Sequence, residues 1–166
     1  VNRLDGVRPG RAVLVAVLSG MASWLLLQLV VALDGQPPVI SWLGLVPLVA
    51  VTLLVLVMGW QIRRYVLGRS TVRPSPQRGR GTLVGAQAAA LGGAALLGWY
   101  LANALVHLPV VDVPSHRTQL VWGLVHAGAA LLLSLVGFLA QHWCRIPPED
   151  DDDRGEGVTD GGLAYS

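Results

Sequence analysis

Four stretches of this chain carry no Asp, Glu, Lys or Arg: residues 12–33, 35–62, 81–111 and 118–144. Each exceeds the roughly 20 apolar residues needed to cross a hydrocarbon core of about 30 Å. Together they use most of the 166 residues, leaving no stretch for a separate soluble domain. Only 13% of the residues are charged, against about a quarter in an ordinary soluble domain. The expected fold is therefore all-α: an integral membrane protein, a bundle of four transmembrane helices.

Punctuation residues place the helix ends. The first helix is expected over residues 12–33, stopping at Asp34-Gly35 ahead of Pro37-Pro38, where a helix cannot continue. The second is expected over 41–62, ending at Arg63-Arg64, with Pro47 interrupting it and allowing a kink. The third covers 83–108, before Pro109, and the fourth 118–143, before Pro147-Pro148. This divides the chain into an N-terminal segment (1–11), a membrane domain (12–145) with an Arg-rich loop over 63–82, and an acidic, Gly-rich tail (146–166). The first apolar run, about 22 residues long, exceeds the 7–15 of a signal-peptide core and is read as a retained helix.

Orientation follows from arginine. All twelve basic residues are Arg. Eleven fall in the N-terminal segment, the second loop (Arg63, Arg64, Arg69, Arg73, Arg78 and Arg80) and the tail, which share one side of an even-numbered bundle. Only Arg117 lies on the other side. The positive-inside rule makes the eleven cytoplasmic, so both termini are expected inside a plasma membrane. The same clustering explains a pI of 9.2 without invoking nucleic acid. Trp42 and Trp122 fall at the outer helix ends, and Trp60, Tyr65 and Trp143 at the inner ends, as an interfacial belt requires.

Lipid tails are as apolar as leucine, so helices associate through close packing and polar contacts. Helix three spaces Gly85, Ala89 and Gly93 at intervals of four. Helix four carries Gly123, Ala127, Ala130, Ser134 and Gly137 at alternating steps of four and three. Heptad-spaced small residues suit a left-handed crossing, so helices three and four are expected to pack along these stripes. Helices one and two, bulkier and rich in Leu and Val, are expected to be the more lipid-facing pair.

The spans hold no charged side chain of the kind proton relays and ion-coupled carriers use. What remains is Gln28, Asn103, His107 and His126, all in the outer part of their helices, with Asn103 and His107 on one face. These four are expected to converge near Tyr100. Such a cluster suits an outward vestibule, a two-histidine metal site to which His116 adds a third ligand, or ordinary interhelical hydrogen bonding, which is the simplest account. No catalytic residue, metal site or cofactor is assigned, because no phosphate-binding loop, H-E-x-x-H or nucleophile elbow is present. The lone Cys144 excludes an internal disulfide and marks a candidate lipidation position.

The Arg63-Arg64 exit from helix two, the Gly98-Trp99-Tyr100 segment and the ending Cys144-Arg145-Ile146-Pro147-Pro148 before acidic residues together resemble one family. It is the actinobacterial membrane family called domain of unknown function 3180, and the resemblance covers about residues 10 to 153. It implies a plasma-membrane protein from a high-GC Gram-positive bacterium, often encoded beside folate-biosynthesis genes, and it transfers no catalytic residue. The family pattern has a basic residue near the start of helix three where this chain has Gln87, so no charged role carries over there. The function expected is a non-enzymatic accessory or scaffold protein, the alternative a small oligomeric transporter or channel. The expected partners are the lipid bilayer and another membrane protein or a second copy of the chain, with no nucleic acid.

Overall fold

The computed structural model describes residues 7–35, 38–66, 76–110 and 112–143. They form four long helices: α1 (Pro9–Ala32), α2 (Leu45–Val66), α3 (Pro76–Val106) and α4 (Pro114–Trp143). Single 3₁₀ turns at Trp42–Gly44 and Leu108–Val110 precede α2 and follow α3. All four helices are long and apolar enough to cross a membrane.

Proline sets three of the four starts. Pro9, Pro76 and Pro114 each open a helix, where the missing N–H costs nothing and the fixed φ is already helical. The expected bounds therefore move outward. α3 begins seven residues earlier than position 83, which puts the backbone of Arg78 and Arg80 into helix rather than loop. α4 begins four residues before position 118, so His116 and Arg117 lie in its first turn and not in a connecting loop. Arg69, Arg73, Cys144 and the tail lie outside the described residues.

Pro47 requires a correction. With α2 opening at Leu45, it occupies the first turn, where an N–H has no intrahelical acceptor. It leaves the ladder unbroken and calls for no kink. α1 ends at Ala32, close to the expected 33, and the chain turns at Asp34, whose φ of 57° is left-handed, while the Gly35 N–H reaches back to the Val30 carbonyl at 2.8 Å.

α3 is the hub. It packs most extensively on α4 and next on α1, whereas α2 lies mainly against α4. The α3–α4 seam is backbone on backbone. A Cβ built on Gly93 would meet Ser134 N at 2.6 Å, and one on Gly137 would meet Ala90 N at 2.5 Å. Gly123 sits against Ala104, and Ala127 and Ala130 are buried between these contacts. Ser134 Oγ donates to the Ala90 carbonyl at 2.9 Å, a bond between helices inside the seam. On α3 the facing residues are Ala86, Ala90 and Gly93. Gly85 lies on the exposed side with nothing near its Cβ position, and Ala89 belongs to a cluster with Leu48 and Val55 of α2.

α1 is tied to α3 just as closely. Gly20 and Gly98 cross at van der Waals distance, and a Cβ on Gly98 would fall on the Ala16 carbonyl oxygen. Ser19 Oγ donates to the Ala95 carbonyl at 2.8 Å, and Leu27 is fully buried. α1 carries a packing face, the small residues Ala12, Ala16, Gly20 and Ser23, yet like α2 it is far less covered than α3 and α4, in line with the expectation for these two helices. α2 buries only a narrow line of Leu48, Val55 and Gly59, with Gly59 against Ala140.

Two ends are thereby defined. At one, Gln141 makes a two-bond clamp with the Val7 backbone at 3.2 Å in each direction. There too, Arg63 lies 4.9 Å from the Trp143 ring and 5.9 Å from Trp60, themselves edge-on at 6.1 Å. A guanidinium between two indoles is a cation–π arrangement that holds the end of α2 to the end of α4. At the opposite end stand His107, His116 and His126.

Candidate functional site

Helical spacing on α3 puts Tyr100, Asn103 and His107 at intervals of three and four, on one side of the helix. Asn103 is 1% exposed and His126, across the seam on α4, 0%. Each is oriented by its own helix. Asn103 Nδ2 donates to the Trp99 carbonyl at 3.0 Å, and His126 Nδ1 lies 2.8 Å from the Trp122 carbonyl. A carbonyl only accepts, so His126 carries its proton on Nδ1 and presents a bare Nε2. Aromatic rings flank this imidazole: Tyr100 at 4.9 Å between centroids and Trp122 at 6.3 Å. Gly44, in the 3₁₀ turn before α2, closes over Nε2, and a Cβ there would come within 3.1 Å of it.

His107 does not join His126. It pairs with His116, Nδ1 to Nδ1 at 3.0 Å, with ring centroids 5.2 Å apart. One Nδ1 must donate and the other accept, so the pair holds a single proton between the end of α3 and the first turn of α4. His107 lies just past the apolar span of α3, and its pKa is pushed below the usual histidine value, first by burial and then by the neighbouring His116. Gln28, the fourth residue expected in the cluster, is exposed on α1 and takes no part. The polar layer is thus three residues from the expected set, divided into a buried site at His126 and Asn103 and a histidine pair beside it.

Sequence reading brought in His116 only as a third metal ligand and foresaw neither its pairing with His107 nor the role of Gly44. His116 at the third position after a proline start was a usable signal once Pro114 was taken as the first helical residue. Gly44 carried none, because its meaning depends on a contact with a residue 82 positions away. Gln119 was also passed over. Its Oε1 accepts from the Ile40 N–H at 3.0 Å and fastens the segment before α2 to α4. Among the described residues no group of three or more His, Cys, Asp or Glu is placed to hold a metal ion.

A family model described as a protein of unknown function (DUF3180) matches residues 12–148. The chain belongs to that family. The match takes in all of α2, α3 and α4 and nearly all of α1, so the glycine seams and the histidine end lie within the DUF3180 region. No curated protein and no solved structure matches the chain.

The lowered His107 pKa has a consequence with a definite sign. Above pH 6.5 both folded and unfolded His107 are neutral; below it the unfolded chain takes up a proton that the folded pair resists. Stability is therefore expected to fall as pH drops below about 6.5, the ordinary histidine pKa. Melting curves in detergent between pH 7.5 and 5.5 check this, and His107→Gln is expected to flatten the dependence.

Proposed function

We propose that this DUF3180 protein is a non-enzymatic accessory protein of the plasma membrane, lying with both termini in the cytoplasm and acting through a membrane-protein partner. One observation carries the reading: the helix interfaces close backbone against backbone. Gly98 meets α1 at Ala16 and Gly20, and Gly93 and Gly137 meet α4 and α3 without side chains between. The charge-free spans supply no relay along such seams. Arginines at the helix ends and the acidic run of residues 149–153 are the groups left to engage a partner.

The expected result is a set of cross-links from the arginine loop and tail to a second membrane protein. They are lost when Arg69, Arg73, Arg78 and Arg80 are replaced with alanine and residues 149–153 with serine, while the melting temperature is unchanged. Cross-links that survive both replacements contradict the reading. Orientation is checked by reporter fusions at the two termini, both expected to report the cytoplasm.

A second reading, a small oligomeric transporter, has one observation in its favour: the buried polar atoms around His126 and Asn103. It predicts solute flux in proteoliposomes that falls with His126→Phe at unchanged expression. Flux indifferent to that substitution removes it.

A further inference from the structure

Two side-chain atoms among the described residues are fully buried and have no hydrogen-bond partner: Asn103 Oδ1 and His126 Nε2. Both are acceptors. Turning the Asn103 amide would set its oxygen against the Trp99 carbonyl oxygen, so Nδ2 must face that carbonyl and Oδ1 must face away. The Trp122 carbonyl fixes the His126 tautomer in the same way. Native proteins seldom leave such atoms orphaned, and an unpaired acceptor is costly where no bulk water reaches it.

The two residues lie at nearly one level. α3 and α4 run antiparallel with Ala104 against Gly123. His126 is thus level with about residue 101 of α3, some two residues, or about 3 Å of axial rise, from Asn103. Tyr100 links them, one turn from Asn103 on its own helix and 4.9 Å from the His126 ring. Gly44 forms the wall over Nε2, and a Cβ there would come to 3.1 Å from it.

We propose that Asn103 Oδ1 and His126 Nε2 form a buried binding site for a small uncharged molecule with two or more N–H or O–H donors. An anion is excluded because both groups accept. A cation is disfavoured because the spans contain no carboxylate to offset it. Two sources share the required chemistry: a water molecule held as part of the fold, and a small polar solute such as formamide or urea. The proposal is independent of the accessory reading, which concerns the other end of the helices.

The test is nitrogen NMR of the full chain, with 15N-labelled histidine, in lipid nanodiscs. The expected result is a His126 Nε2 resonance shifted in the direction of an acceptor receiving a hydrogen bond. It moves towards the free-acceptor position in Asn103→Leu and, because that variant loses a buried polar group, also in Gly44→Ala, which crowds Nε2 directly. Magnetisation transfer from water to the His126 ring assigns the site to water. A saturable shift on adding formamide or urea, absent in Asn103→Leu, assigns it to a solute. A wild-type Nε2 already at the free position, with neither water transfer nor a solute response, overturns the proposal without reliance on any variant.

Discussion

Alanine at Gly137 is expected to destabilise the bundle by about 1–3 kcal/mol, the usual cost of forcing extra atoms into a packed interface. The new methyl would stand 2.5 Å from Ala90 N and 2.8 Å from Ala86 O, and neither is the end of a flexible side chain. The helices must separate to admit it. Separation also lengthens the Ser134–Ala90 hydrogen bond one turn away, so the effect should exceed that of a methyl group meeting a movable side chain. Gly98→Ala, aimed at the Ala16 carbonyl, is expected to do the same to the α1–α3 crossing. Gly92→Ala and Gly128→Ala are the controls. Both positions are helical with nothing within 4 Å of a Cβ, so alanine there should be neutral or favourable by up to about 1 kcal/mol through helix propensity. Reversible unfolding in mixed micelles separates the pairs, and equal effects at all four positions would refute the seams.

The second large effect is expected at Leu27. Its side chain is 1% exposed, whereas Leu25 on the same helix is 67% exposed. Truncating a buried leucine to alanine costs the transfer of the lost atoms plus a cavity term, about 2–5 kcal/mol in water-soluble cores. Detergent and lipid are themselves apolar, which removes much of the transfer part and leaves the cavity, so about 2 kcal/mol is expected for Leu27→Ala. Leu25→Ala should cost a few tenths at most. A cysteine pair at Ser19 and Ala95, where the native hydroxyl donates across the crossing, reports whether α1 has come away. Its cross-linking yield should drop in Leu27→Ala and hold in Leu25→Ala.

The four helices were legible because their signal is one of bulk: charge-free length. Their starts were less so, since a search for apolar runs passes over Pro9, Pro76 and Pro114, each of which opens a helix upstream of the run itself. The α4 face was readable because five small residues keep heptad register there. The α1 face, Ala12, Ala16, Gly20 and Ser23, runs at helical steps of four, four and three, but leucine and valine around it mask the pattern in composition. Gly85 marks the opposite error: spacing alone put it on the seam, although the helix turns it outward and Ala86 and Ala90 take its place. At the polar end, sequence depth located Asn103, His107 and His126, because distance from a helix end is a one-dimensional quantity. Which face each occupied was not. Gln28 lies at a comparable depth yet on the exposed side of α1, and His107 turns to His116 instead of His126.

The central claim is that this tightly packed bundle, with charge-free apolar stretches, works through another membrane protein. The most direct test is native mass spectrometry of the protein ejected from its own membranes at natural abundance. The account predicts a mass that exceeds a whole multiple of this chain's own mass by that of a second protein in fixed stoichiometry. A mass made up of this chain and lipid alone would contradict it.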